Sequence, residues 1–255
     1  MVKKKDAVIT TGITGLDKLF SQGIPQGSSI LVAGGAGVGK TTLCLQILMN
    51  AANKNQTCYY MGFKESNNKI LRNMKRFGWD ADQFLDSGML KIKRFMTSEI
   101  YYDDKKNDDD IEAMMTKDID PLLMELEPFT LADEQGFKPD IIVLDSLSAL
   151  SSTFRGKEQS YRFYVERLFR FFDKIGSTTF LITETLQVPE IFSPTGIEEF
   201  LADGVFVMYS VKKKGGRSFG FEILKMRGEE HQRKIVEYSM TSKGIVMYPE
   251  KTLQI

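Results

Sequence analysis

Short apolar runs alternate with helical periodicities through most of the chain, and near residue 204 the pattern changes to apolar runs punctuated by turns. Ser28 to Ala33 reads as a short buried strand and Thr42 to Asn53 as the helix after it. Thr57 to Phe63 is a second strand of the same kind. Asn67 to Phe77 puts Ile70, Leu71 and Met74 on one helical face, Gly78-Trp79-Asp80 ends that helix, and Met89 to Phe95 is a third strand. Asp140 to Ser146 is an apolar strand that ends in a carboxylate, and Ser177 to Thr183 is another strand, running into Glu184. Between them, Lys157 to Ile175 spaces Tyr161, Tyr164, Val165, Leu168, Phe172 and Ile175 as a core-facing helical stripe. Near-continuous apolar strands alternating with helices predict an α/β fold whose mostly parallel central sheet is flanked by helices. Val205 to Val211, Ser218 to Met226, Lys234 to Met240 and Ile245 to Tyr248 are joined by glycine-bearing turns, which predicts antiparallel C-terminal strands extending that sheet.

Two stretches depart from this rhythm. Residues 96–139 include the charged run Tyr101 to Asp110, expected to be a solvated surface insertion, with Asp120-Pro121 opening a helix through Glu127. Near the N-terminus, Thr14 is the expected N-cap of a short helix ending near Phe20, and Pro25-Gln26-Gly27 is a turn. The 255 residues are accordingly read as one domain with a charged insertion at 96–139. Lys+Arg and Asp+Glu number 34 each, so no overall charge draws the chain toward nucleic acid. Cys44 and Cys58 fall in apolar elements and form neither a disulfide framework nor a metal spacing. The N-terminus has no apolar signal core and no run approaches membrane-spanning length, so the cytoplasm is expected and membrane insertion is not.

The chemistry is concentrated between the first strand and its helix. Gly34-Gly35-Ala36-Gly37-Val38-Gly39-Lys40-Thr41 fits G-x-x-x-x-G-K-[ST], a loop whose glycines let successive backbone N–H groups converge on phosphate oxygens. The helix N-terminus behind it favours anions. Gly35, Ala36, Gly37, Val38, Gly39, Lys40, Thr41 and Thr42 are the candidate ATP/ADP phosphate-binding residues, Lys40 serving also as a catalytic cation on the outer phosphates. Thr41 and the strand-terminal Asp145 are the candidate Mg²⁺ ligands. A P-loop sheet with antiparallel C-terminal strands points to the RecA-like branch of P-loop NTPases.

Four further segments stand out, Gly12-Ile13-Thr14-Gly15-Leu16-Asp17, Gly23-Ile24-Pro25-Gln26-Gly27, Phe77-Gly78-Trp79-Asp80 and Ile197 to Val205, and beside them the more specific Leu224-Lys225-Met226-Arg227-Gly228-Glu229-Glu230-His231. Together with the phosphate loop they resemble the KaiC-like family of RecA-fold ATPases. The resemblance implies an ATPase acting as a homo-oligomeric ring, commonly a hexamer, with nucleotide at the subunit interface. It also implies that Lys225 and Arg227 reach a neighbour's γ-phosphate, with His231 beside the nucleotide. From the residues alone, Lys225 and Arg227 are equally alternating positions on a solvated strand face. Where the family carries two acids after the second strand, this chain has Lys64-Glu65. Glu65 is the candidate that orients the attacking water; read locally, it is also a first-turn helix acid. Glu198 to Ala202 carries no hydroxyl, so the family's self-phosphorylation is not expected there.

Two other functions fit parts of this pattern. Lys64 favours a regulatory ATP-binding switch with little turnover. Lys212-Lys213-Lys214, and Arg72 with Lys75 and Arg76, would suit a DNA-dependent recombinase-like ATPase, against which stands the zero net charge. The protein partner and the pathway are not legible.

Overall fold

The computed structural model describes residues 7–96, 122, 126, 137–154 and 156–255. In chain order the strands are β1 (Val8–Ile9), β2 (Ile24–Pro25), β3 (Ser29–Gly34), β4 (Cys58–Gly62), β5 (Leu90–Arg94), β6 (Ile141–Asp145), β7 (Thr178–Glu184), β8 (Gly204–Lys213), β9 (Gly216–Met226), β10 (Val236–Thr241) and β11 (Gly244–Thr252). The helices are α1 (Lys40–Ala52), α2 (Asn67–Arg76), α3 (Asp82–Asp86), α4 (Leu147–Ser151), α5 (Glu158–Ile175) and α6 (Ile197–Leu201). Among the described residues, nine strands form one sheet in the order β11-β10-β9-β8-β3-β7-β6-β4-β5. From β8 to β5 the pairing is parallel, and from β8 to β11 it is antiparallel, as the sequence pattern predicts.

Strand periodicity assigns the two faces. Ile30 and Val32 of β3 pack in one cluster with Leu43, Ile47 and Leu48 of α1, while Leu31 between them packs in the other with Val165, Leu168 and Phe172 of α5. Each fully buried aromatic or branched aliphatic side chain in these layers contributes about 1.5–3 kcal/mol. Helix α5 ends at Gly176, whose left-handed φ of 73° lets its N–H return to the Phe172 carbonyl and turns the chain into β7. Both cysteines are buried and unpaired, and burial pushes the Cys58 thiol up to about 12. No helix among the described residues is long and apolar enough to cross a membrane.

One local expectation fails. The segment after Thr11 forms a single 3-10 turn, Asp17–Leu19, and Thr14 does not cap it. Instead the Asp17 carboxylate accepts from Thr11 N (2.8 Å), Thr11 Oγ1 (2.7 Å) and Gly12 N (2.9 Å). The Thr14 carbonyl accepts from Met247 N of β11 (2.9 Å). Docking on β11 fixes this backbone: Gly15 has a φ of +84°, and a Cβ there would lie 2.2 Å from the Met247 oxygen. The 96–139 stretch lies mostly outside the described residues; within it, Leu122 and Leu126 are helical and buried in the α5-side cluster.

Candidate functional site

The carboxyl ends of four adjacent parallel strands meet at one edge of the sheet. The register places Gly34 of β3 beside Glu184 of β7, Ile182 of β7 beside Asp145 of β6, and Asp145 beside Gly62 of β4. This is the edge at which open α/β sheets bind ligands.

The loop from Gly34 to Lys40 leaves β3 here. Gly37 and Gly39 have φ of +79° and +90°, a backbone that only glycine adopts without strain, and Gly39 is the N-cap of α1. Ala36 and Gly37 are exposed, so the loop crest faces outward. Lys40, on the first residue of α1, is buried and its Nζ donates to the carbonyls of Gly34 (2.7 Å) and Gly35 (2.9 Å). Burial lowers its pKa, opposed by the carboxylates of Glu184 and then Asp145. Thr41 Oγ1 donates to Asp145 Oδ2 at 2.6 Å, and Tyr60 OH donates to the same oxygen at 2.9 Å. Asp145 is held above the usual carboxylate range because burial outweighs those two hydrogen bonds and the Lys40 charge. Thr42 follows in the first turn, half-buried.

These residues fit a phosphate ligand and a hard cation. An outward loop on a helix N-terminus, with a desolvated ammonium behind it, suits phosphate oxygens. A hydroxyl and a carboxylate 2.6 Å apart are the oxygen donors Mg²⁺ takes, since it commonly uses one or two carboxylates and fills its shell with water and phosphate.

Glu65 lies just past β4 at the same edge, where its Oε1 pairs with Lys69 Nζ at 2.5 Å. Lys64 pairs with Glu184. Lys225 and Arg227 lie elsewhere. Lys225 pairs with Val205 at the start of β8, whereas Gly34 pairs with Met208 further along that strand, so the two sites occupy opposite edges of the sheet. Lys225 Nζ donates to the carbonyls of Glu199 (2.9 Å) and Ala202 (2.6 Å). Arg227 donates to Phe200 O (2.7 Å) and lies 3.4 Å from Asp203 Oδ1. Together they close the C-terminal carbonyls of α6, where cations are favoured. His231 forms an isolated bridge with Phe20, and the neighbouring Gln232 N donates to the Leu19 carbonyl. Within one chain, therefore, Lys40, Thr41, Asp145 and Glu65 share an edge, and Lys225 and Arg227 do not join them.

Four residues around the loop escaped the sequence reading. Tyr238 OH donates to the Val38 carbonyl at 2.5 Å, and Gln187 Nε2 donates to the Ala36 carbonyl at 3.0 Å. Tyr60 and Glu184 complete the set. Glu184 had a signal, a carboxylate ending a buried strand as Asp145 does; Tyr60, Gln187 and Tyr238 had none.

The chain matches a family model described as "ATPase: KaiC" over residues 9–252. A UPF0273 protein of Thermotoga maritima is 28% identical over 246 residues, covering 95% of this chain and 96% of that protein. Circadian clock protein KaiC3 of Synechocystis is 28% identical over 249 residues, 97% of this chain but 46% of the clock protein, so the chain spans about half of its length. Among solved structures, the KaiC-like protein PH0186 of Pyrococcus horikoshii matches with a TM-score of 0.75 and 26% identity, over 96% of this chain and all of that one. With the family model spanning both the phosphate loop and the Lys225–His231 segment, this chain belongs to the KaiC ATPase family.

Proposed function

We propose that the chain is a Mg²⁺-dependent, cytoplasmic ATPase, folded as one domain, that works as a homo-oligomeric ring, a hexamer, each site completed by a neighbouring subunit. The backbone from Gly35 to Thr42 and the Lys40 ammonium hold the phosphates. Thr41 and Asp145 hold Mg²⁺, which when bound supplies charge neutralisation on the outer phosphate oxygens. Glu65 orients the attacking water and accepts its proton. Lys225 and Arg227 of one subunit offer positive charge to the phosphate on the next, with His231 lining that nucleotide.

The observation that carries this reading is the separation within one chain. Two cations fitted to a developing phosphate charge lie at the edge of the sheet opposite the loop. They can serve a nucleotide only across an interface. The test is ATP turnover per subunit over a wide range of protein concentration. A rate that rises with concentration is expected; a flat rate from a protein shown to stay monomeric overturns the shared site. Lys40→Ala is expected to abolish nucleotide binding, and tight binding retained in that variant would contradict the role of the loop.

One observation favours a second reading, a nucleotide switch with slow turnover. Both acids that could handle water at this edge are already paired, Glu65 with Lys69 and Glu184 with Lys64. Tight Mg²⁺-ATP binding with negligible hydrolysis would establish it.

A further inference from the structure

Lys64 stands in an unexpected place. It follows β4, yet in the sheet β4 is separated from β7 by β6. Its side chain passes over the end of β6, where Asp145 sits, and reaches the Glu184 carboxylate on β7. Glu184 is in register with Gly34, the first residue of the phosphate loop. The ammonium is thus carried across to the strand that adjoins the loop-bearing strand β3. The two lysines and two carboxylates act as one electrostatic group: Glu184 and Asp145 raise the Lys40 pKa and Lys64 lowers it.

We infer that Lys64 is a ligand of the terminal phosphate of a bound nucleoside triphosphate, and that Glu184 is its resting partner, released when that phosphate arrives. This rests on the ATP-binding reading above. The side chains of the pair are 49% and 51% exposed, and exposed ion pairs of this kind contribute little to stability. A terminal phosphate offers more charge and more acceptor oxygens than one carboxylate, and charge-assisted hydrogen bonds to phosphate are among the stronger ones. The ammonium therefore exchanges partners at small cost. In such a loop the backbone N–H groups cradle the inner phosphates and the lysine, here Lys40, reaches the outer two. The outermost group is the one that meets the row of strand ends where Lys64 waits. Loss of that group by hydrolysis lets Lys64 return to Glu184, so the pair distinguishes triphosphate from diphosphate.

The experiment compares the affinities of a non-hydrolysable β,γ-imido ATP analogue and of ADP, both with Mg²⁺ and at fixed ionic strength. Lys64→Met is expected to weaken the analogue about tenfold, equivalent to about 1.4 kcal/mol, and to change ADP less than about twofold. Lys64→Arg keeps the cation and is expected to preserve discrimination. A merely structural role would move both nucleotides together. Equal losses for the two ligands, or none, in Lys64→Met overturn the assignment while leaving the ATP site standing. Wild-type protein that binds neither nucleotide overturns the ATP-binding reading itself, and this inference with it.

Discussion

Asp145→Asn separates what the site contributes to stability from what it contributes to binding. The Asp145 carboxyl is held above its ordinary range because burial opposes ionisation more than Thr41, Tyr60 and Lys40 favour it. Below the ordinary carboxylate range of about 3.9, folded and unfolded chains both carry the proton and the group is neutral to stability. As pH rises through that range, the unfolded chain ionises first and the folded state loses stability relative to it. The loss is complete once pH exceeds the raised folded value. At neutral pH the ligand-free protein therefore bears a buried-charge penalty. Asparagine has the same shape, and its single carbonyl oxygen has lone pairs for both Thr41 and Tyr60. Removing the charge is expected to raise the melting temperature of the ligand-free protein. With Mg²⁺-nucleotide the order reverses. Wild type at a ligand concentration of 100 times Kd gains about 2.7 kcal/mol, roughly 5–10 °C, and the variant, with its cation ligand gone, gains much less. The assay is thermal unfolding of both proteins, with and without Mg²⁺ and the imido analogue, at neutral pH and near pH 4. The ligand-free advantage of the variant should shrink at the lower pH. A ligand-free Asp145→Asn that melts below wild type at neutral pH would refute the argument, because the ionised carboxylate would then be stabilising.

Lys40→Ala and Arg227→Ala are each expected to lack ATP turnover alone, and mixing them should restore part of it by pairing an intact loop with an intact cation across the interface; no recovery in a confirmed mixed oligomer counts against a site shared between subunits. Tyr238→Phe leaves the buried Val38 carbonyl without its 2.5 Å donor, and should cost about 1–2 kcal/mol by thermal unfolding. The same variant should weaken nucleotide binding a few-fold in a titration, since the loop loses a support from β10. Gly15→Ala combines a φ of +84° with a Cβ 2.2 Å from the Met247 carbonyl oxygen. It should lower the melting temperature by roughly 5 °C or more, and a near-wild-type melt would mean that the N-terminal segment is not tied to β11 as described.

The sequence by itself determined most of the elements and named the candidates for the core of the site. Apolar runs and helical stripes are local, repeating at two or at three to four residues, so they mark β3, α1, β4, β6, α5 and β7 without knowledge of their neighbours. The phosphate loop was equally legible, because its glycines and Lys40 are constrained by backbone geometry within a stretch of eight residues. Asp145 could be picked out because a carboxylate ending an apolar strand, common by itself, gains meaning in a sheet that also carries a phosphate loop. Only the tertiary structure decided who meets whom. Lys64 and Glu184 are 120 residues apart, and Tyr238 and Val38 are 200 apart. They meet because of sheet order, which strand periodicity does not encode. The same order sets Lys225 and Arg227 at the edge away from the loop, although their strand pattern is the same at either edge. The Thr14 cap failed for a related reason: a local N-cap preference of about 1 kcal/mol yields when a distant strand fixes the backbone through Gly15.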